Sequence, residues 1–407
     1  DEAVAAYREA EDVLARQLGQ VPLDGGRDTF LGDREESARR LVGLLVRLRR
    51  PEAALEAARR ARSRALVSVE DQLRLAGLDR SARQRWEGAL AAYQRARDAL
   101  DRSAQLDWTL PASEVDRVLD ARRKAKEALR AELDRAWAGL GGATVPAKRA
   151  ALRPPAPGEV LLAWFPADGG WLQFTSTQET TSVAALTLPA RDAGANDWSR
   201  ALFGAVDDQL EAATAVRILP YGPVDSVDVH ALPWRGEPLA LQRQVVYGMD
   251  LPAGPPVALA TGPAVVVADP ERNLRGARDE ATTAAKAWRA GGVEVTLLQG
   301  KDATGEAVRR ALREAPLFHY AGHGRYAGRG GWDSALPLTG GHELAVADVL
   351  ALPRAPAIVV LSGCETARSG HDAGSGGMGL AHAFVARGAE AVIAATRAVG
   401  DDLARAI

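Results

Sequence analysis

The chain has 407 residues, is 47% apolar and 26% charged, and carries a net charge of −2 from nearly balanced Lys+Arg and Asp+Glu. That is the composition of a globular protein with room for two or three domains, and it offers no field for nucleic acid or an anionic membrane surface. No stretch is long and apolar enough to cross a bilayer, and the opening residues are charged and helical rather than a signal peptide. The single cysteine, Cys364, has no disulfide partner within the chain and fits a reducing cytoplasm. Because the chain does not begin with Met, further sequence is expected upstream.

Up to about Leu140 the sequence is rich in Ala, Arg, Glu and Leu at helical spacing, as in Leu41, Leu44, Leu45 and Leu48, then Leu55, Ala58 and Leu66. Ala3, Tyr7 and Ala10 align with Ala54, Ala58 and Ala61, and small residues at that spacing let paired helices approach closely. The pattern resembles tetratricopeptide repeats over residues 1–63, with the loop VPLDGGRDTFLGD holding the excess length. Residues 64–145 read as a long helical hairpin, interrupted where Pro111 stops one helix and Ser113 offers an N-cap before Glu114. Trp86, Trp108 and Trp137 read as packing residues between its helices. A Gly- and Pro-rich segment then marks a boundary, and a new domain is expected from Leu152.

Short apolar runs follow: VLLAWF, WLQFTS, AVRILP, AVVVAD, VEVTLL, LFHYAG, AIVVLS and AVIAAT. Several are continuous rather than alternating, which suits strands of a parallel sheet buried on both faces. Helices are expected at Arg278 to Ala290, Thr304 to Glu314, Val346 to Ala351 and Met378 to Arg387. The fold class is therefore α/β, with a three-layer α/β/α domain after an all-α region.

Two of these runs break into small-residue turns that each carry a reactive side chain, APLFHYAGHG at Ala315 to Gly324 and IVVLSGC at Ile358 to Cys364. Reactive groups of open α/β sheets gather beyond the carboxyl ends of the strands, so His323 and Cys364 are expected at one edge. A thiolate attacking a peptide carbonyl needs a proton shuttle near neutral pKa, which imidazole supplies. Gly322 and Gly324 leave room for a substrate backbone and for a main-chain N–H directed at an oxyanion. The residues alone leave a second reading open, in which Cys364 is a small buried hydrophobe and His323 a turn residue.

The ordered segments HYAGHG, DSALPLTG, ELAVADVL, APAIVVLSGCETA and GSGGMGLAHAFVARGAEAVIAATRAVGDD resemble the CHAT family of caspase-like cysteine peptidases. Upstream, LPYGPVDSVDVHAL, ADPERNLRGARDEATTAAKAW and KDATGEAVRRAL fit the same family, so the resemblance covers residues 152–407. It implies a caspase-like domain with a degenerate half at 152–260 and a catalytic half at 261–407. It also implies His323 as the catalytic histidine, Cys364 as the nucleophile, and the backbone N–H groups of Gly324 and Cys364 as oxyanion donors. His319 falls on a structural position. Related peptidases hold the P1 side chain with an acidic residue near the C-terminal end of this region. Asp401 is the candidate here and Asp402 its rival, which implies Arg or Lys at P1. Thr396 and Arg397 stand where the family often has Leu-Trp, and a solvated aspartate pair capping the next helix is the alternative. A further helix is expected beyond Ile407.

The resemblance implies cleavage of a specific protein substrate, a protein regulator on the helical repeats, no cofactor and no metal. It implies a role in bacterial defence or programmed cell death, with gasdermin activation as one such outcome. Gly374, Gly376 and Gly379 match a dinucleotide fingerprint, but ETARSGHDA separates them from their strand, so they read as a loop at the active-site mouth. The loops Gly324 to Ser334 and Glu365 to Met378 are expected to move on activation. His371 and His382 lack zinc-type spacing with Cys364, and His230 and His342 read as ordinary turn residues. The competing functional readings are a noncatalytic repeat scaffold with an inactive peptidase-like domain, and acyl transfer on a small thioester.

Overall fold

The computed structural model describes residues 1–18, 21, 30–31, 34–73, 79–104, 110–141, 151–167, 169–250, 262–368, 377–398 and 400. It is a mixed α/β structure with an N-terminal helical region followed by two five-stranded sheets. The helical region comprises α1 (Glu2–Leu18), α2 (Glu36–Arg47), α3 (Pro51–Leu73), α4 (Arg80–Ala104) and α5 (Ala112–Gly141). Pro51 opens α3 at a position where its missing N–H costs no helical bond. The division expected after residue 63 falls inside α3, which runs unbroken to Leu73, and α4 and α5 alone form the paired long helices. Trp108 and the side chain of Trp137 lie outside the described residues, whereas Trp86 is buried.

The first sheet has the order β3-β2-β1-β4-β5, from β1 (Glu159–Ala167), β2 (Gly170–Ser176), β3 (Thr181–Leu186), β4 (Ala215–Leu219) and β5 (Gln244–Tyr247). It is mixed: β1–β2 and β2–β3 are antiparallel, β1–β4 and β4–β5 parallel. Alternation along β1 sends Val160, Leu162 and Trp164 into a core with Trp198, Leu202 and Phe203 of α6 (Ala195–Phe203) and Leu210 of α7 (Asp207–Ala212). Leu161, Ala163 and Phe165 face the other way and pack on Leu41, Val42, Leu45, Ala54 and Ala58 of α2 and α3. The N-terminal helices thus form one outer layer of this sheet rather than a free arm.

The second sheet is wholly parallel, in the order β12-β11-β8-β6-β7. Its strands are β6 (Ala264–Ala268), β7 (Val295–Gln299), β8 (Leu317–Ala321), β11 (Ile358–Ser362) and β12 (Ala391–Ala394). The short ribbon of β9 (Ala335–Pro337) and β10 (Glu343–Ala345) lies between β8 and β11 in sequence. All five residues of β6 are buried, as a strand covered on both faces requires. One face carries α8 (Arg275–Ala290), with Ala277, Ala281 and Ala285 against Val266, Ala268 and Ala321. The opposite face is covered by α9 (Gly305–Leu312), α10 (Val346–Leu350) and α11 (Leu380–Ala386), where Val265, Val267, Phe318, Tyr320, Val359 and Leu361 join Leu312, Val349 and Phe384. Trp86 and Tyr93 of α4 and Leu133 of α5 belong to the same core. No helix among the described residues is long and apolar enough to cross a membrane.

Candidate active site

The two reactive turns emerge from neighbouring strands. β8 and β11 run parallel with Ala321 paired to Ser362, and Gly322 N–H donates to Ser362 O at 3.1 Å. Carried two residues past that last pair, the register sets His323 level with Cys364. The backbones touch there. A Cβ added to Gly363 would lie 2.9 Å from Gly322 O and 3.1 Å from Gly324 N, and one on Gly324 would lie 2.2 Å from Cys364 O. Glycine at 324 and 363 is what permits this approach.

His323 is half-buried, and its Nε2 lies 3.0 Å from Asn273 Oδ1. Asn273 sits in the loop between β6 and α8, and its backbone N–H donates to Asp269 Oδ1 at 2.9 Å. The His323 turn is pinned from beneath by the Tyr320 hydroxyl, which donates to His323 O at 2.9 Å and Pro337 O at 2.8 Å. Burial pushes the Tyr320 phenol well above its ordinary pKa, and Glu271 and Asp269 add to that, so it stays a donor. Cys364 is partly buried. Its turn is latched by Thr366, whose hydroxyl hydrogen-bonds Leu361 O and Gly363 O at 3.0 Å. Glu365, at φ +55°, donates its N–H to Arg397 O at 3.2 Å, and Ala367 N–H donates to Ala395 O at 2.9 Å. The exit of β12 therefore borders the cysteine turn.

His319 does not join the pair. It is buried one layer below, with Nε2 2.8 Å from Glu280 Oε1, while Glu280 Oε2 accepts from Ser362 Oγ at 2.8 Å. One carboxylate on α8 thereby braces both strands just before their turns. Among the described residues Gly324 N–H has no hydrogen-bond partner, which leaves it free to donate.

Asp401, Asp402, His371, Gly374 and Gly376 lie outside the described residues. His230 pairs with Tyr247 at 2.9 Å, and His342 is buried. No three His, Cys, Asp or Glu side chains among the described residues come together as metal ligands. Asn273, Tyr320 and Glu280 escaped the sequence reading. The signal available for Asn273 and Glu280 was an Asp-Pro turn directly after a buried strand, followed by an acidic residue on the next helix.

A histidine and a cysteine on adjoining turns at the carboxyl edge of a parallel sheet define an α/β domain of the caspase-like class. The model of the CHAT domain family matches residues 194–407, just over half of the chain. The chain belongs to the CHAT domain family, and the match begins later than the residue 152 expected from the motifs. No curated protein matches it.

Proposed function

We propose that the chain is a cysteine endopeptidase cleaving a specific protein target, with His323 as general acid/base and Cys364 as nucleophile. The observation that carries this reading is the contact between the Gly322–Gly324 and Gly363–Cys364 backbones in a CHAT family member. His323 takes the thiol proton and the sulfur attacks the scissile carbonyl. The oxyanion forms beside the N–H groups of Gly324 and Cys364, and His323 returns the proton to the leaving amine. Water, deprotonated by His323, then releases the acyl group and restores the thiol.

Asp401, with Asp402 beside it, is proposed to hold a basic P1 side chain. The proposed organisation is a helical repeat in α1 to α3, a hairpin of α4 and α5, a degenerate half at 152–260 and a catalytic half at 261–407. A protein regulator acting on the helical repeats belongs to the same reading, and Glu343, which holds both Lys126 of α5 and Arg325 of the loop after His323, supports a link from the helical region to that loop. A role in bacterial defence or programmed death belongs to the same proposal.

The test is digestion of a mixed peptide library by the wild-type chain and by Cys364→Ala. Cleavage that vanishes in the variant supports the peptidase and reports P1 directly. Cleavage that persists in the variant removes Cys364 from the mechanism. Absence of cleavage by either chain favours the noncatalytic scaffold.

A further inference from the structure

His323 and Cys364 leave one requirement unmet by the pair alone. A neutral imidazole has two tautomers, and only the one whose unprotonated nitrogen is turned to the thiol can act as its base. Asn273 Oδ1, 3.0 Å from His323 Nε2, accepts hydrogen bonds and cannot donate them. The contact therefore selects the tautomer with its proton on Nε2 and keeps Nδ1 as the basic nitrogen.

The support behind Asn273 is unusually well tied. Asp269, the residue directly after β6, is buried, has φ +42°, and accepts from Asn273 N–H at 2.9 Å and Leu274 N–H at 3.1 Å through one carboxylate oxygen. Its other oxygen lies 3.2 Å from Arg278 Nε on α8. Its own N–H donates to Ala321 O at 2.8 Å, on the strand that delivers His323. A left-handed conformation at a non-glycine residue is costly, and here three backbone bonds and an ion pair hold it. The loop is thereby fixed to both the strand carrying His323 and the helix carrying Glu280. An amide at 273 orients the ring without placing a second negative charge beside it, so the proton taken from the thiol is not trapped on the imidazole.

We propose that Asn273 is a positioning residue for His323, completing a Cys364–His323–Asn273 relay in which the amide fixes the ring tautomer. The proposal rests on the catalytic reading above, and its test separates the two. Because Cys364 is the only cysteine, iodoacetamide alkylation of the whole chain reports that thiol alone. At about pH 6.5, His323→Ala is expected to slow alkylation at least about fivefold and Asn273→Ala by a similar factor, whereas Asn273→Asp, which keeps an acceptor and adds a charge that favours imidazolium and thiolate, is expected to be no slower than wild type. Nitrogen-15 NMR of ring-labelled histidine is expected to show His323 protonated on Nε2 in the wild type and in Asn273→Asp, and mixed tautomers in Asn273→Ala.

If His323→Ala slows alkylation but Asn273→Ala does not, Asn273 has no positioning role and the dyad stands. If His323→Ala leaves alkylation unchanged, the dyad itself fails and the proposal with it. Should Asn273→Ala not fold, the spectra of the wild type and Asn273→Asp decide: an Nδ1-protonated ring in either overturns the assignment.

Discussion

Arg325, the second residue after His323, lies 2.6 Å from the carboxylate of Glu343, which also receives Lys126 of α5 at 2.9 Å. Arg97 of α4 adds an N–H to Glu343 O at 3.0 Å and lies 3.5 Å from Asp348, which in turn accepts from Tyr93 at 3.1 Å. Burial alone would raise the Glu343 pKa, but Lys126, Arg325 and Arg97 hold it below its ordinary value. Through Glu343 the long helices are thus joined by charge to the loop behind His323.

Glu343→Gln is expected to lower stability by about 1–3 kcal/mol, because it leaves the buried Arg97 guanidinium with a weaker partner. Hydrogen exchange should rise together in residues 324–335 and in α4 and α5. Lys126→Ala, at a more exposed site, should cost less than about 1 kcal/mol. Exchange confined to the helices in Glu343→Gln would show that the contact does not couple them to the loop.

Two glycines separate close approach from mere permissiveness. Gly324→Ala places a methyl 2.2 Å from Cys364 O and 2.8 Å from Thr366 Cγ2, so the turns must part. A loss of about 1–3 kcal/mol and a collapse of the proposed peptidase activity are expected, read by urea unfolding and substrate turnover. Gly88→Ala, inside α4 with nothing within 4 Å, should instead stabilise by about 0.5–1 kcal/mol. Equal urea midpoints for the two variants would contradict the contact geometry.

Tyr320→Phe removes one hydroxyl that satisfies both His323 O and Pro337 O. The ring still fills its buried position, so the loss comes from the hydrogen bonds, about 1–3 kcal/mol. Because His323 O belongs to the reactive turn, turnover is expected to fall more than substrate affinity. An unchanged turnover with the full stability loss would make Tyr320 purely structural.

The apolar runs predicted as strands all became strands, because each is a short apolar segment bounded by breaker residues and too short for a helix. β3 and β5 were missed because they hold an edge of the first sheet, where TSVAAL and QVVY are largely exposed and carry little hydrophobic signal. The antiparallel pairing of β1, β2 and β3 was also missed, since a buried run does not reveal its partner's direction. That the His323 and Cys364 turns would adjoin was legible because glycines interrupt strongly apolar strands beside them. The Asn273 contact with His323 was not, since it depends on a loop folding back from β6 through Asp269, a tertiary contact without periodic trace. The packing of α2 and α3 on β1 was equally hidden, as their apolar face suits a neighbouring helix or a sheet alike.

Around Arg62 of α3, two groups are pushed in opposite directions by burial. Asp225 is raised from 3.8 to about 6 despite Arg62, and His382 on α11 is lowered from 6.5 to about 4, by burial first and Arg62 second. His382 Nδ1 is buried with no hydrogen-bond partner among the described residues. The neutral form of each is favoured in the folded chain. For Asp225 the stability is fully present below 3.8 and is lost as pH rises through about 6; for His382 it is fully present above 6.5 and is lost as pH falls through about 4. Between about pH 4 and 6 the two slopes oppose, so the wild type should show a shallow profile there. Each residue keeps some solvent exposure, which limits either effect to about 1–2 kcal/mol. Asp225→Asn is therefore expected to stabilise the chain at pH 7 and to lose that advantage by pH 4, whereas His382→Gln should flatten the loss on acidification. Urea midpoints of the three chains across this range check both signs, and an Asp225→Asn advantage as large at pH 4 as at pH 7 would show that the carboxylate is not held neutral by the fold.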